Sequence, residues 1–180
     1  MIDARQRKLI MAVLNNNSIK KGKISDEDFI SQYPVENKSI HEFIQEKLGD
    51  ALVTQSHNEL EYILYLGFHF GFTIENVHIL NELLNCKWHQ KHEDIVRSLV
   101  LVKAKDKETI DSLAQCALAE FDYLSDDRED GNYSLTWSCI YALAKIGTPY
   151  AVEKLKIIAC DDIIEIKDKV FEVMKSYNLS

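Results

Sequence analysis

A chain of 180 residues with 46% apolar and 28% charged side chains has an ordinary globular composition, which excludes a disordered or fibrous polypeptide. There are 21 basic residues against 29 acidic ones, a net charge of −8, which argues against a protein whose main task is to neutralise phosphates. The size predicts one domain, residues 1–180, and the scarcity of proline and glycine (two and six) leaves most of it free to be helical.

The first helix is predicted over about residues 3–15, carried by Ile10, Val13 and Leu14 and ending in Asn15-Asn16-Asn17. Ser25-Asp26-Glu27-Asp28 starts a short second helix, its acidic residues placed well for the helix dipole, and Pro34 ends it. Ser39-Ile40-His41-Glu42 reads as a capping box opening a helix to about residue 53, and Ser56-His57-Asn58-Glu59 repeats the device. The segment Leu60–Phe70 is apolar nearly all round and predicts a central, buried helix closed by Gly71. Its Tyr62, Tyr65 and His69 form a stripe that could line a groove, with core packing the expected reading.

From Thr73 onward the apolar stripes become regular. Val77, Leu80, Leu83 and Leu84 form one stripe, and Ile95, Leu99 and Val102 another after the link Cys86-Lys87-Trp88-His89-Gln90. Asp106 caps a helix carrying Ile110, Leu113 and Ala117. Trp137, Ile140, Leu143 and Ala144 repeat the pattern, and Thr148-Pro149 caps and starts a helix with Val152, Leu155 and Ile158 inward. Asp162-Ile163-Ile164-Glu165 opens the last helix, with Ile166, Val170, Val173 and Met174 buried and Lys167, Asp168, Glu172 and Lys175 facing water.

Two of these units superpose at an offset of 42, which places Ile95 on Trp137, Leu101 on Leu143, Ile110 on Val152 and Leu113 on Leu155. A two-helix unit recurring at that interval is the signature of an α-solenoid. The run from Ala142 to Leu155, with Ile146-Gly147-Thr148-Pro149 at its turn, resembles the HEAT-like repeat family. In the preceding unit Lys105 stands where that pattern has glycine. The resemblance implies an all-α superhelix, with residues 73–180 as repeats and 1–72 as N-terminal capping helices.

Three polar features invite a chemical reading. Trp88-His89-x-x-His92-Glu93-Asp94 offers metal-ligand types on a first helical turn, but no distant fourth ligand accompanies them. The structural alternative is that Trp88 docks on the previous helix while Glu93 and Asp94 favour the next helix's N-terminus. The basic stretch Lys20-Lys21-Gly22-Lys23 is short and stands beside four residues rich in carboxylates, so it reads as a surface turn rather than a nucleic-acid site. The segment Glu120–Gly131 sets six carboxylates against a single arginine. Such density self-repels and marks a surface loop. Phe121, Tyr123 and Leu124 among the acids suggest an anchor-and-charge surface for a basic partner, with a plain solvated loop as the equally weighted alternative. The sequence Asp126-Asp127-Arg128-Glu129-Asp130 lacks the alternating ligands of an EF-hand.

The four cysteines, at 86, 116, 139 and 160, have no close spacing and fall in apolar helical patterns, which predicts buried free thiols in a cytoplasmic protein. No export signal and no membrane span are expected, since Leu60–Phe72 is interrupted by Tyr62, His69 and two glycines and is shorter than the roughly 20 residues a span needs. No phosphate loop or nucleophile motif is present, so no catalytic residue, metal or cofactor is assigned. Small acidic HEAT-like proteins are similar to bacterial immunity proteins of polymorphic toxin and contact-dependent growth inhibition systems. That resemblance implies binding to a cognate protein toxin, a basic nuclease domain in particular, with no direct contact to nucleic acid or membrane. Asp122, Tyr123, Asp126, Asp127, Glu129 and Asp130 are the candidate partner-binding residues. The alternatives are a HEAT-repeat scaffold for another intracellular protein and, less favoured by the composition, a HEAT-like bilin lyase or DNA glycosylase.

Overall fold

The computed structural model describes residues 2–14, 22–33 and 38–179. The expected helix stop at Asn15-Asn16-Asn17, the pair Lys20-Lys21 and the breaker Pro34 lie outside the described residues. Among the described residues every regular element is helical: eleven α-helices and two short 3-10 turns. The chain divides into two compact units, Met1–Ile79 and Leu80–Ser180.

In the first unit, local caps define the helices. Asp3 and Gln6 close a capping box at the start of α1 (Ala4–Val13), with hydrogen bonds of 2.8 and 2.9 Å. Ser25 Oγ accepts the Asp28 N–H at 3.1 Å to open α2 (Asp26–Gln32), whose first turn carries three carboxylates. The box at Ser39 and Glu42 opens α3 (Ile40–Thr54) as the residue pattern predicts. The second expected box, before α4 (His57–Phe70), forms only by half. Ser56 Oγ accepts the Glu59 N–H at 3.4 Å. The Ser56 N–H, however, is already donated to Ala51 C=O at 3.2 Å, closing α3. The Glu59 carboxylate therefore turns elsewhere and accepts the N–H of Ile2 at 2.6 Å, 57 residues away.

Helix α4 buries Leu60, Ile63, Leu64 and Leu66 but is not buried all round. Tyr65 is 39% exposed and donates to Glu61, and His69 Nε2 meets Asp26 at 2.7 Å. The expected core packing of the Tyr65 and His69 side chains is thus corrected: their polar ends find partners toward water, as amphipathic rings do. Gly71 ends the helix at φ +95°, a conformation that side chains rarely adopt. Phe29, Tyr33, Phe43 and Phe70 fill the centre of this unit, with ring centroids 4.9–5.5 Å apart.

Helix α5 (Val77–Leu84) crosses the division between the units. In the second unit its Leu80, Leu83 and Leu84 are fully buried. Then follow α6 (His92–Leu101), α7 (Lys107–Leu118), α8 (Ser125–Glu129), α9 (Ser134–Ile146), α10 (Pro149–Ile158) and α11 (Ile164–Ser176). Asn81 of α5 and Asn85 just after it donate to Thr109 Oγ1 and Ser112 Oγ of α7 at 3.0 and 3.3 Å. Asp106 and Thr148 cap α7 and α10, the latter with Pro149 at its first position. Helix α9 packs against α6, α7, α10 and α11, so its Cys139, Ile140 and Leu143 have no exposure at all.

The burial pattern repeats, but with two offsets rather than one. Buried Ile110, Leu113, Cys116 and Ala117 of α7 fall on Val152, Leu155, Ile158 and Ala159 at the predicted offset of 42. The preceding helices match at 44 instead: buried His92, Ile95, Val96, Ser98 and Leu99 fall on Thr136, Cys139, Ile140, Ala142 and Leu143. Leu101, paired with Leu143 by the uniform offset, is 56% exposed while Leu143 is buried. The left-handed residue after α6 is Lys103 (φ +57°), the counterpart of Gly147 (φ +61°) after α9. Ala104 and Lys105 are therefore two additional residues in the α6–α7 turn, and Lys105 is not the glycine counterpart.

All four cysteines are free, but only Cys116 and Cys139 are buried, whereas Cys160 at the end of α10 is exposed and Cys86 half-buried. No helix among the described residues is long and apolar enough to cross a membrane.

Candidate interaction surface

The segment Glu120–Gly131 is folded rather than an open loop. Asp122–Leu124 form a 3-10 turn, and α8 follows directly. Ser125 Oγ donates to Asp122 C=O at 2.8 Å, and the Asn132 N–H donates to Asp127 C=O at 2.7 Å. A short helix with two aspartates in its first turn uses their charge favourably.

The aromatic residues of the segment point inward. Phe121 is buried, with its ring centroid 4.0 Å from that of His92. Tyr123 stacks on the same imidazole at 5.6 Å and donates its hydroxyl to His92 Nδ1 at 2.8 Å. Burial, followed by the Cys116 thiol and the Glu93 carboxylate, pushes the Tyr123 phenol well above its ordinary range. The hydroxyl is a fixed donor at neutral pH. Tyr123, expected as an exposed anchor for a partner, is half-buried and fastens the acidic segment to α6.

His92 is held from its other side as well. Its Nε2 donates to Cys86 C=O at 2.8 Å, which leaves Nδ1 as the acceptor for Tyr123. Burial lowers its pKa below the ordinary 6.5, so the ring is neutral. The neighbouring His89, at 4.4 Å between centroids, donates Nε2–H to Leu83 C=O at 2.9 Å and accepts the Lys91 N–H at 3.1 Å on Nδ1. Every ring nitrogen of the two histidines is committed to a hydrogen bond, and none is directed at a vacant ligand position. Among the described residues no group of three His, Cys, Asp or Glu side chains is placed to hold a metal ion. Trp88 packs edge-on against His89 at 4.8 Å, and Glu93 and Asp94 occupy the first turn of α6.

With the rings turned inward, Asp122, Asp126, Asp127, Glu129 and Asp130 are left exposed. The surface is therefore a carboxylate cluster on an aromatic base, without exposed rings of its own. No spacing in the chain connects residue 92 with residue 123. Only the shared abundance of aromatic and imidazole side chains in the two segments hints that they meet.

Comparison with protein-family models, curated proteins and solved structures finds no match for this chain.

Proposed function

We propose that the chain is a HEAT-like helical-repeat protein that acts as an immunity protein, binding a cognate basic toxin domain through the acidic segment 122–130. The observation that carries this reading is the clamp of Tyr123 on His92, which holds a segment with five exposed carboxylates, three of them on the short helix α8 and one each in the turn before it and just after it. An electrostatic surface of this kind raises association rates and selects partners of opposite sign, most strongly when its geometry is fixed beforehand. The overall charge of −8 works in the same direction. The recurrence of buried positions between α6–α7 and α9–α10 supports the repeat architecture, since stacked two-helix units reuse the same inward positions.

The test looks for a toxin gene beside this chain's gene and uses the toxin domain it encodes; absence of such a gene would count against the toxin reading. The full chain should bind that domain, block its activity, and lose affinity steeply with added salt. Replacing Asp122, Asp126, Asp127 and Asp130 by Asn and Glu129 by Gln should weaken binding at least about tenfold and flatten the salt dependence. Unchanged affinity and salt dependence in that variant would refute the surface, and failure of the native chain to bind would refute the toxin reading.

A further inference from the structure

The two extra residues in the α6–α7 turn have a structural consequence in the second unit. A cleft of about 500 Å³ opens at the C-terminal end of α6, lined by α6, the turn, α7 and α9. Its walls include Leu101, Leu113 and Ile146, and Lys103, Lys105 and Lys145 line it too. At the equivalent place after α9, Gly147 leads straight into the Thr148 cap, with no residues between them.

The lining of the cleft carries three lysines and no carboxylate. Lys47, Lys154 and Lys169 each sit 2.6–2.7 Å from a carboxylate. Lys103, Lys105 and Lys145 are exposed and have no ion-pair partner among the described residues. The adjacent carboxylate of Asp106 accepts the Thr109 N–H at 2.9 Å and the Thr109 hydroxyl at 2.8 Å and forms no ion pair with these lysines. In a chain of net charge −8, three unpaired ammonium groups around one apolar cleft concentrate positive potential there. Leu101, 56% exposed on this wall, gives the cleft an apolar face in contact with water. Lys103 holds a left-handed backbone that glycine adopts at less cost, so its side chain occupies the rim at some expense in local stability.

We infer that this cleft binds a small anionic amphiphile, its single apolar tail lying against Leu101 and Ile146 and its anionic head meeting Lys103, Lys105 and Lys145. The volume lies within the roughly 300–1,000 Å³ typical of small-molecule sites. Lysines act as flexible point charges rather than planar forks, so a carboxylate and a phosphate head are both accommodated. The site is independent of the acidic segment, whose charge would repel such a ligand.

The experiment titrates the full chain with octanoate, octyl phosphate, octanol and octyltrimethylammonium, following backbone amide shifts by NMR and heat by calorimetry. Both anions should saturate the site and move the amides of Leu101, Ala104, Leu113 and Ile146, and the tighter of the two identifies the preferred head. Octanol should bind at least about tenfold more weakly, as expected when charge-assisted contacts are missing. K103Q/K105Q/K145Q should lose the preference for anions, whereas K103R/K105R/K145R should keep it. Equal binding of octanol and the anions, an unaltered preference in the Gln variant, shifts confined to other residues, or no saturable binding would each overturn the inference.

Discussion

The hydroxyl of Tyr123 lies 2.8 Å from Nδ1 of His92, and this bond joins the acidic segment to the first turn of α6. Because Nε2 of the same ring donates to Cys86 C=O, the segment is coupled through one imidazole to the link that precedes α6. Tyr123→Phe keeps the ring stacking but leaves a buried acceptor without its donor. Such a loss costs about 1–3 kcal/mol. Chemical denaturation should register it, and amide exchange in residues 121–130 should accelerate. Unchanged exchange there would mean that Phe121 alone holds the segment.

The same imidazole makes stability depend on pH in a defined direction. Burial lowers the folded-state pKa of His92 below its ordinary value of 6.5. Between the two values the unfolded chain binds a proton that the folded chain does not, so stability rises with pH in that window. It is fully present above about pH 6.5 and is lost as pH falls toward the folded pKa. His92→Gln removes this contribution. The difference in unfolding free energy between the native chain and the variant should therefore narrow from pH 7.5 to pH 5, whereas a constant difference would assign the slope to other groups.

Glu59 shows where local reasoning from residues succeeds and where it stops. The caps at Ser39, Asp106 and Thr148 were legible because each acts within three residues of its helix start. Ser56 and Glu59 have the same spacing, yet the Glu59 side chain leaves the box for the N–H of Ile2. That choice is tertiary and has no local signature. The repeat was legible in its second helices, but the offset of its first helices depends on turn length, and residues 103–105 carry no glycine or proline to mark the extra turn. The acidic segment was legible by composition alone. Residue type does not give direction, so the inward turn of Phe121 and Tyr123 toward His92 was not.

The Glu59 contact gives a prediction in the first unit. Glu59 is 5% exposed and Ile2 is 3% exposed, so Glu59→Ala leaves a buried N–H without that acceptor. A loss of about 1–3 kcal/mol is expected, with Glu59→Gln less affected because an acceptor oxygen remains. Nearby Tyr33 provides the opposite case. Its hydroxyl is buried with no hydrogen-bond partner among the described residues, and burial with the Asp3 and Glu59 carboxylates raises the phenol well above its ordinary range. Tyr33→Phe removes a polar atom that contributes no bond, so stability should hold or increase. Equal losses in Tyr33→Phe and Glu59→Ala, measured by urea unfolding, would contradict this assignment.

Helix α11 closes the second unit against α9 and α10. Ile166, Val170 and Val173 have no exposure and Met174 has 8%, while Lys167, Asp168, Phe171 and Glu172 lie on the outer face. Burying side chains of this kind stabilises by roughly 1.5–3 kcal/mol each, so the four together contribute about 6–12 kcal/mol before ordering costs. That is comparable with the whole stability of a typical domain, about 5–15 kcal/mol. A chain ended at Cys160 should therefore lose cooperative thermal unfolding of the second unit and expose the apolar face of α9 to aggregation. Two substitutions separate this effect from a general response to change in the helix. Val170→Ala, on the buried face, should lower the melting temperature by several degrees, whereas Phe171→Ser, at a position 54% exposed, should leave it nearly unchanged. A soluble, cooperatively melting chain ending at Cys160 would show that α9 and α10 need no cover from α11.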